Sequence, residues 1–139
     1  IFAIAKIGGG IKMSFSIGDR VVFFYKSGKY IGEIADQPGL TKLPVRVLAV
    51  LKHPAQGDIH YPGQVDVSMF HQRKALAYQE IAAVPPQVIQ PFDGDIPDYE
   101  ESLEAALNKE ITKLEGKQDA YARQALTELS ELKKEYFGT

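Results

Sequence analysis

The chain has 139 residues, no cysteine and a formal charge of -2, with 45% hydrophobic and 24% charged residues. That length suits one compact unit with an appendage. A disulfide framework, a thiolate nucleophile and a cysteine-based zinc site are excluded, and the charge balance lacks the basic face of nucleic-acid binders.

Residues 1–12 precede the first methionine and differ in character from the rest of the chain. They read as a tag or disordered extension: the apolar stretch is too short to span a bilayer and lacks the pattern of a signal peptide. Gly8-Gly9-Gly10 has no Lys-Ser/Thr pair after it and is no phosphate loop. From Ile17-Gly18-Asp19 onward, β-rich runs alternate with turn residues. Arg20 to Tyr25 and Tyr30 to Ala35 flank Lys26-Ser-Gly-Lys29 as a hairpin, and Pro44 to Leu51 is the longest strand candidate. The stretch from His53 to Gly63, with its prolines and glycines, predicts a structured loop. Lys74 to Glu80 fits either a strand or a helix. Val84-Pro-Pro-Gln-Val-Ile-Gln-Pro-Phe92 predicts a single turn feeding a short last strand. About five such strands predict a small, partly open β-barrel over residues 13–95.

The pattern changes at Asp93 to Asp98. Asp98 with Glu101 starts a helix in capping-box fashion, and apolar residues from Leu103 to Tyr136 then recur at helical spacing. A single helix of that length would measure about 60 Å, roughly twice the width of the barrel. Gly116 and Asp119 offer an end and a new start, so a helical hairpin and one long helix both remain open. Residues 96–139 are thus a helical appendage, expected to dock on the barrel through Leu103, Leu107 and Leu129. From residue 98 onward it holds ten acids against six bases, a charged face of the kind that solvates a helix.

Potentially reactive groups concentrate between His53 and Lys74. His53, Asp58, His60 and His71 are the residues a metal-dependent enzyme would use, but their spacing matches no metal motif, and no metal or cofactor is expected. Ser68, His71 and Asp66 lack the setting of a hydrolytic triad, so no catalytic residue is assigned. Met69, Phe70, His71, Arg73 and Lys74 combine large apolar groups with cations, a composition suited to a recognition patch. With His53, Asp58, His60 and Tyr61 they form the candidate partner-binding set. Tyr25, Tyr30 and Tyr61 offer a candidate aromatic groove. A nucleic-acid-binding barrel is the remaining alternative, disfavoured by charge.

Three stretches, Tyr25-Lys-Ser-Gly-Lys-Tyr-Ile-Gly-Glu-Ile34, Val47 to His60 and Phe70-His-Gln-Arg-Lys-Ala-Leu-Ala77, resemble the kinase-associated protein B family of spore-forming bacteria. The resemblance runs from about Met13 to Phe137, and Leu51-Lys-His-Pro-Ala-Gln-Gly-Asp-Ile-His60 is its most specific part. It implies a barrel of the Src-homology-3 type followed by helices. It also implies a non-enzymatic accessory role, binding and supporting a membrane sensor histidine kinase of the sporulation phosphorelay or another phosphorelay protein. The family is sometimes called a lipoprotein, yet no lipobox cysteine is present. The expectation is therefore a cytoplasmic protein that meets the membrane only through its partner, with homo-oligomerisation left open.

Overall fold

The computed structural model describes residues 3–7, 10–39, 41–58, 62–65 and 70–138, with side chains from residue 14 onward. Within the stretch expected to be a tag or disordered extension, the described residues form strands. Strands β1 (Ala3–Ile7) and β2 (Gly10–Ser14) pair antiparallel with each other and, among the described residues, with no other strand.

Five further strands form one antiparallel sheet: β3 (Arg20–Tyr25), β4 (Gly28–Ile34), β5 (Leu43–Lys52), β6 (Ile81–Val84) and β7 (Ile89–Pro91). Their order is β6-β5-β4-β3-β7, and the sheet curls until β3 approaches β6, giving the partly open small barrel expected. Alternation along the strands sends Val21, Phe23, Tyr30, Ile34, Val45 and Val47 into one core. Phe23 and Tyr30 stack there with ring centroids 5.5 Å apart. The β3–β4 turn puts both Lys26 (φ 44°) and Ser27 (φ 70°) in the left-handed region, which matches the twist of a tight hairpin but strains side chains other than Gly or Asn. Ser27 gains a partner in return, since its Oγ accepts from Ala55 N at 3.0 Å. At Gly32 a Cβ would lie 2.4 Å from the Arg46 carbonyl oxygen, so only glycine allows β4 and β5 to approach there. The register also shifts at this point, leaving Leu48 as the extra residue of a bulge.

The ambiguous stretch before β6 is neither strand nor helix. It turns at Gln79 (φ 68°) and is held to β5 by Gln79 N to Val47 O (2.8 Å) and Val47 N to Glu80 O (2.9 Å). The Pro86–Val88 turn then feeds β7.

Beyond the sheet lie two helices, α1 (Tyr99–Glu115) and α2 (Ala120–Phe137), which settles the choice in favour of the hairpin. Each starts on an aspartate cap: Asp98 accepts from Glu101 N (3.1 Å) and Asp119 from Ala122 N (2.7 Å). The apolar stripe of α1 is divided between two neighbours. Leu103 and Ala106 complete the barrel core, and Ser102 Oγ accepts from Val50 N of β5 at 2.9 Å. Leu107 and Leu114 instead face Ala122, Ala125, Leu129 and Leu132 of α2 in a second core. Barrel docking therefore runs through Leu103, while Leu107 and Leu129 bind the helices to each other. Among the described residues no helix is long and apolar enough to cross a membrane.

Candidate functional site

After β5 the chain enters the loop from His53 to Asp58, which lies against the irregular segment 70–77 and under α2. Gln56 is the clasp. Its side chain is buried and bonds the backbone of Arg73 on both sides: Oε1 accepts from Arg73 N and Nε2 donates to Arg73 O, each at 2.9 Å. A primary amide matches a peptide unit in this way because it carries one acceptor and two donors. Alongside, Gly57 N donates to His71 O and Arg73 Nε donates to Gly57 O, both at 2.9 Å. The two loops are thus zipped together without being strands.

Tyrosines from the surrounding elements complete this seam. Tyr121 of α2 donates its hydroxyl to Gln56 O at 2.9 Å. Tyr30 of β4 accepts from Leu76 N (3.2 Å) and Tyr99 of α1 donates to Leu76 O (2.6 Å). Tyr136, near the end of α2, accepts from Ala75 N at 2.9 Å and stands 2.9 Å from His53 Nε2. The Pro54 carbonyl can only accept, so the neutral imidazole carries its proton on Nδ1 and donates to Pro54 O at 3.0 Å, and the Tyr136 hydroxyl donates to the bare Nε2. Burial pushes the Tyr30 phenol up to about 12, and the phenols of Tyr99, Tyr121 and Tyr136 also upward. All four stay protonated. Burial likewise pulls the His53 imidazole down to about 4, against a smaller upward pull from its bond to Pro54, so it is neutral near pH 7.

The predicted site residues therefore separate. His53 is fully buried, and its place on a partner-facing surface is corrected: its ring is an internal brace between the loop and α2. Phe70 is half-buried against Tyr121 with ring centroids 5.9 Å apart, and also serves packing. Arg73 and Asp58 are partly exposed and His71 is exposed. Lys74 is exposed and pairs with Glu135 of α2. His60, Tyr61 and Met69 lie outside the described residues, as do Asp66 and Ser68 of the rejected triad. Of the three tyrosines offered as a groove, Tyr30 is core, Tyr25 is half-buried and Tyr61 lies outside the described residues. Among the described residues no group of three or more His, Asp or Glu side chains is placed to hold a metal ion.

Two recesses border the seam. A broad groove of about 890 Å³ runs between segment 74–78, the start of α1 and the end of α2, walled by Leu48, Tyr78, Tyr99 and Phe137. Tyr78 is 54% exposed there and leans on Tyr99 with centroids 5.7 Å apart. A smaller cleft of about 290 Å³ opens between the β3–β4 turn and residues 72–76. The groove was not foreseen from sequence. Its available signal was a tyrosine at the first position of a helix, an amphipathic group with an apolar body and a polar tip.

Comparison with known proteins matches most of the chain. The family described as Kinase associated protein B matches residues 25–137. Kinase-associated lipoprotein B of Bacillus subtilis (strain 168) is 48% identical over 125 residues, covering 89% of this chain and 96% of the relative. The crystal structure of kinase-associated protein B from Bacillus cereus superposes with a TM-score of 0.75 at 36% identity, covering 88% of this chain and 98% of that one.

Proposed function

The chain belongs to the kinase-associated protein B family, and from that premise we propose that it is a non-enzymatic accessory protein that binds and supports a membrane sensor histidine kinase of the sporulation phosphorelay. The observation that carries the reading is its near-full-length similarity to relatives named for kinase association. The seam gives that role a physical basis. It is a hydrogen-bonded platform with Arg73, Lys74, His71 and Asp58 at its rim. A preorganised platform loses little conformational entropy on binding, which is where flexible loops lose affinity. His60, Tyr61 and Met69 belong to the same partner surface in this proposal. The platform acts by population shift: it raises kinase activity only by the difference in its affinity for the active and inactive states.

The test is reconstitution of the full chain with its cognate sensor kinase in membrane vesicles, measuring co-sedimentation and autophosphorylation. A rise in both that is lost in Lys74→Ala or His71→Ala variants supports the proposal. Failure of the wild-type chain to co-sediment overturns it.

A further inference from the structure

The smaller cleft has a charge at odds with the rest of the molecule. The chain is net negative, yet three cations, Lys26, Arg73 and Lys74, border this recess against a single acid, Glu80. Part of that acid is already engaged, since Glu80 Oε1 accepts from Ala77 N at 2.9 Å. Lys74 shares its charge with Glu135, and Lys26 lies over the Tyr25 ring at 5.4 Å from the centroid. Arg73 is held differently. Its backbone is gripped on both sides by Gln56 and its Nε is fixed on Gly57 O. Among the described residues neither of its Nη groups has a hydrogen-bond partner, and no carboxylate pairs with it. A guanidinium whose plane is fixed through Nε presents its remaining donors as a fork, the geometry that carboxylates match. Pro54 and Leu76 line the same recess and give it an apolar floor.

We infer that this cleft is a receptor for an acidic segment of a partner protein, taking a Glu or Asp carboxylate on the Arg73 fork between Lys26 and Lys74. The inference rests on reading the seam as the partner surface and names the chemistry of what docks there. Arg73 supplies the fixed contact. The two exposed lysines attract the segment and make its capture sensitive to salt.

The experiment titrates the isotope-labelled full chain with a blocked hexaglutamate peptide and follows backbone amide shifts. The expected result is a saturable response at Tyr25, Lys26, Arg73 and Lys74 that weakens with salt. Arg73 also braces the loop, so the variants tested are at the exposed lysines. Lys26→Asn removes a charge while placing a residue that tolerates positive φ, and Lys74→Gln removes the other. Each is expected to weaken the peptide about threefold with the spectrum otherwise unchanged. Shifts centred on the helices, no saturable response, or affinity unchanged in both variants would overturn the inference. So would an identical response to inorganic phosphate at matched ionic strength, which would make the cleft a simple anion site. No kinase is present in this titration. Peptide capture without kinase capture therefore counts against the proposed function alone, and kinase capture without peptide capture counts against the acidic-segment receptor alone.

Discussion

The hydroxyl of Tyr136, half-buried, and the imidazole of His53, fully buried, are separated by 83 positions in sequence and meet at 2.9 Å. The pair joins the last turn of α2 to the loop that leaves β5, and it makes the neutral imidazole the form that fits. A protonated ring would place a second donor against a hydroxyl that already accepts from Ala75 N.

Stability should consequently depend on pH in a defined window. The imidazole titrates near 6.5 in the unfolded chain and is lowered to about 4 in the folded one, so between these values the unfolded state holds more protons. Stability from this group is fully present above about 6.5, falls as the pH drops, and is gone below about 4, a loss on the order of 3 kcal/mol. Urea unfolding across that range should show the slope in the wild type and in His71→Gln, and a flatter one in His53→Gln.

Tyr136→Phe keeps the ring but removes the hydroxyl. Ala75 N then loses its acceptor and His53 Nε2 its donor, with an expected cost of about 1–3 kcal/mol for each buried group left unpaired. Chemical denaturation measures it, and a variant as stable as wild type would show that water replaces the hydroxyl.

Gly57→Ala tests the loop packing. The position has φ +97°, and a Cβ there would lie 3.0 Å from the Phe70 ring. Backbone strain with displacement of Phe70 should cost about 1–3 kcal/mol, seen as a lower melting temperature and altered Phe70 and Tyr121 ring resonances.

Leu107→Ala opens the second core rather than the barrel. Leu107 is fully buried among the helix residues, so a loss of about 2–5 kcal/mol is expected. Leu103→Ala should perturb barrel resonances more strongly, because Leu103 packs with Val45 and Val47. Indistinguishable resonance changes in the two variants would mean that the cores are not separate.

How far the sequence revealed this arrangement depended on the range of the interaction. The helix starts at Asp98 and Asp119 were legible because caps are local, an aspartate side chain reaching the amide three residues on, whereas the choice between a hairpin and one long helix stayed open because the apolar phase runs on across Gly116. Strands β3, β4, β5 and β7 were legible as β-rich runs between turn residues, whereas β1, β2 and β6 were not. Helical periodicity disclosed the apolar face of α1 but not that Leu103 and Leu107, four residues apart on it, serve different cores. His53 read as one more polar group in a proline-rich loop, since its burial is imposed by Tyr136 on the far side of the sequence. Arg73 was marked as a recognition residue by its composition, whereas its fixation by Gln56 depends on a side chain bonding across two loops. The tyrosines of the helices gave no sign of which carbonyl each would reach.

The placement of Tyr136 in the last turn of α2 also bears on time. That turn is closed by Gly138 N on Lys134 O at 2.7 Å, and helix ends are where native proteins open first. Fraying there would withdraw the acceptor of Ala75 and release the brace on His53. The amide of Ala75, deep in the chain, should therefore exchange its proton with solvent at the pace of the helix terminus, while Val47 in β5 exchanges only when the whole barrel opens. Amide exchange would read the seam as a hatch hinged on its own C-terminal helix.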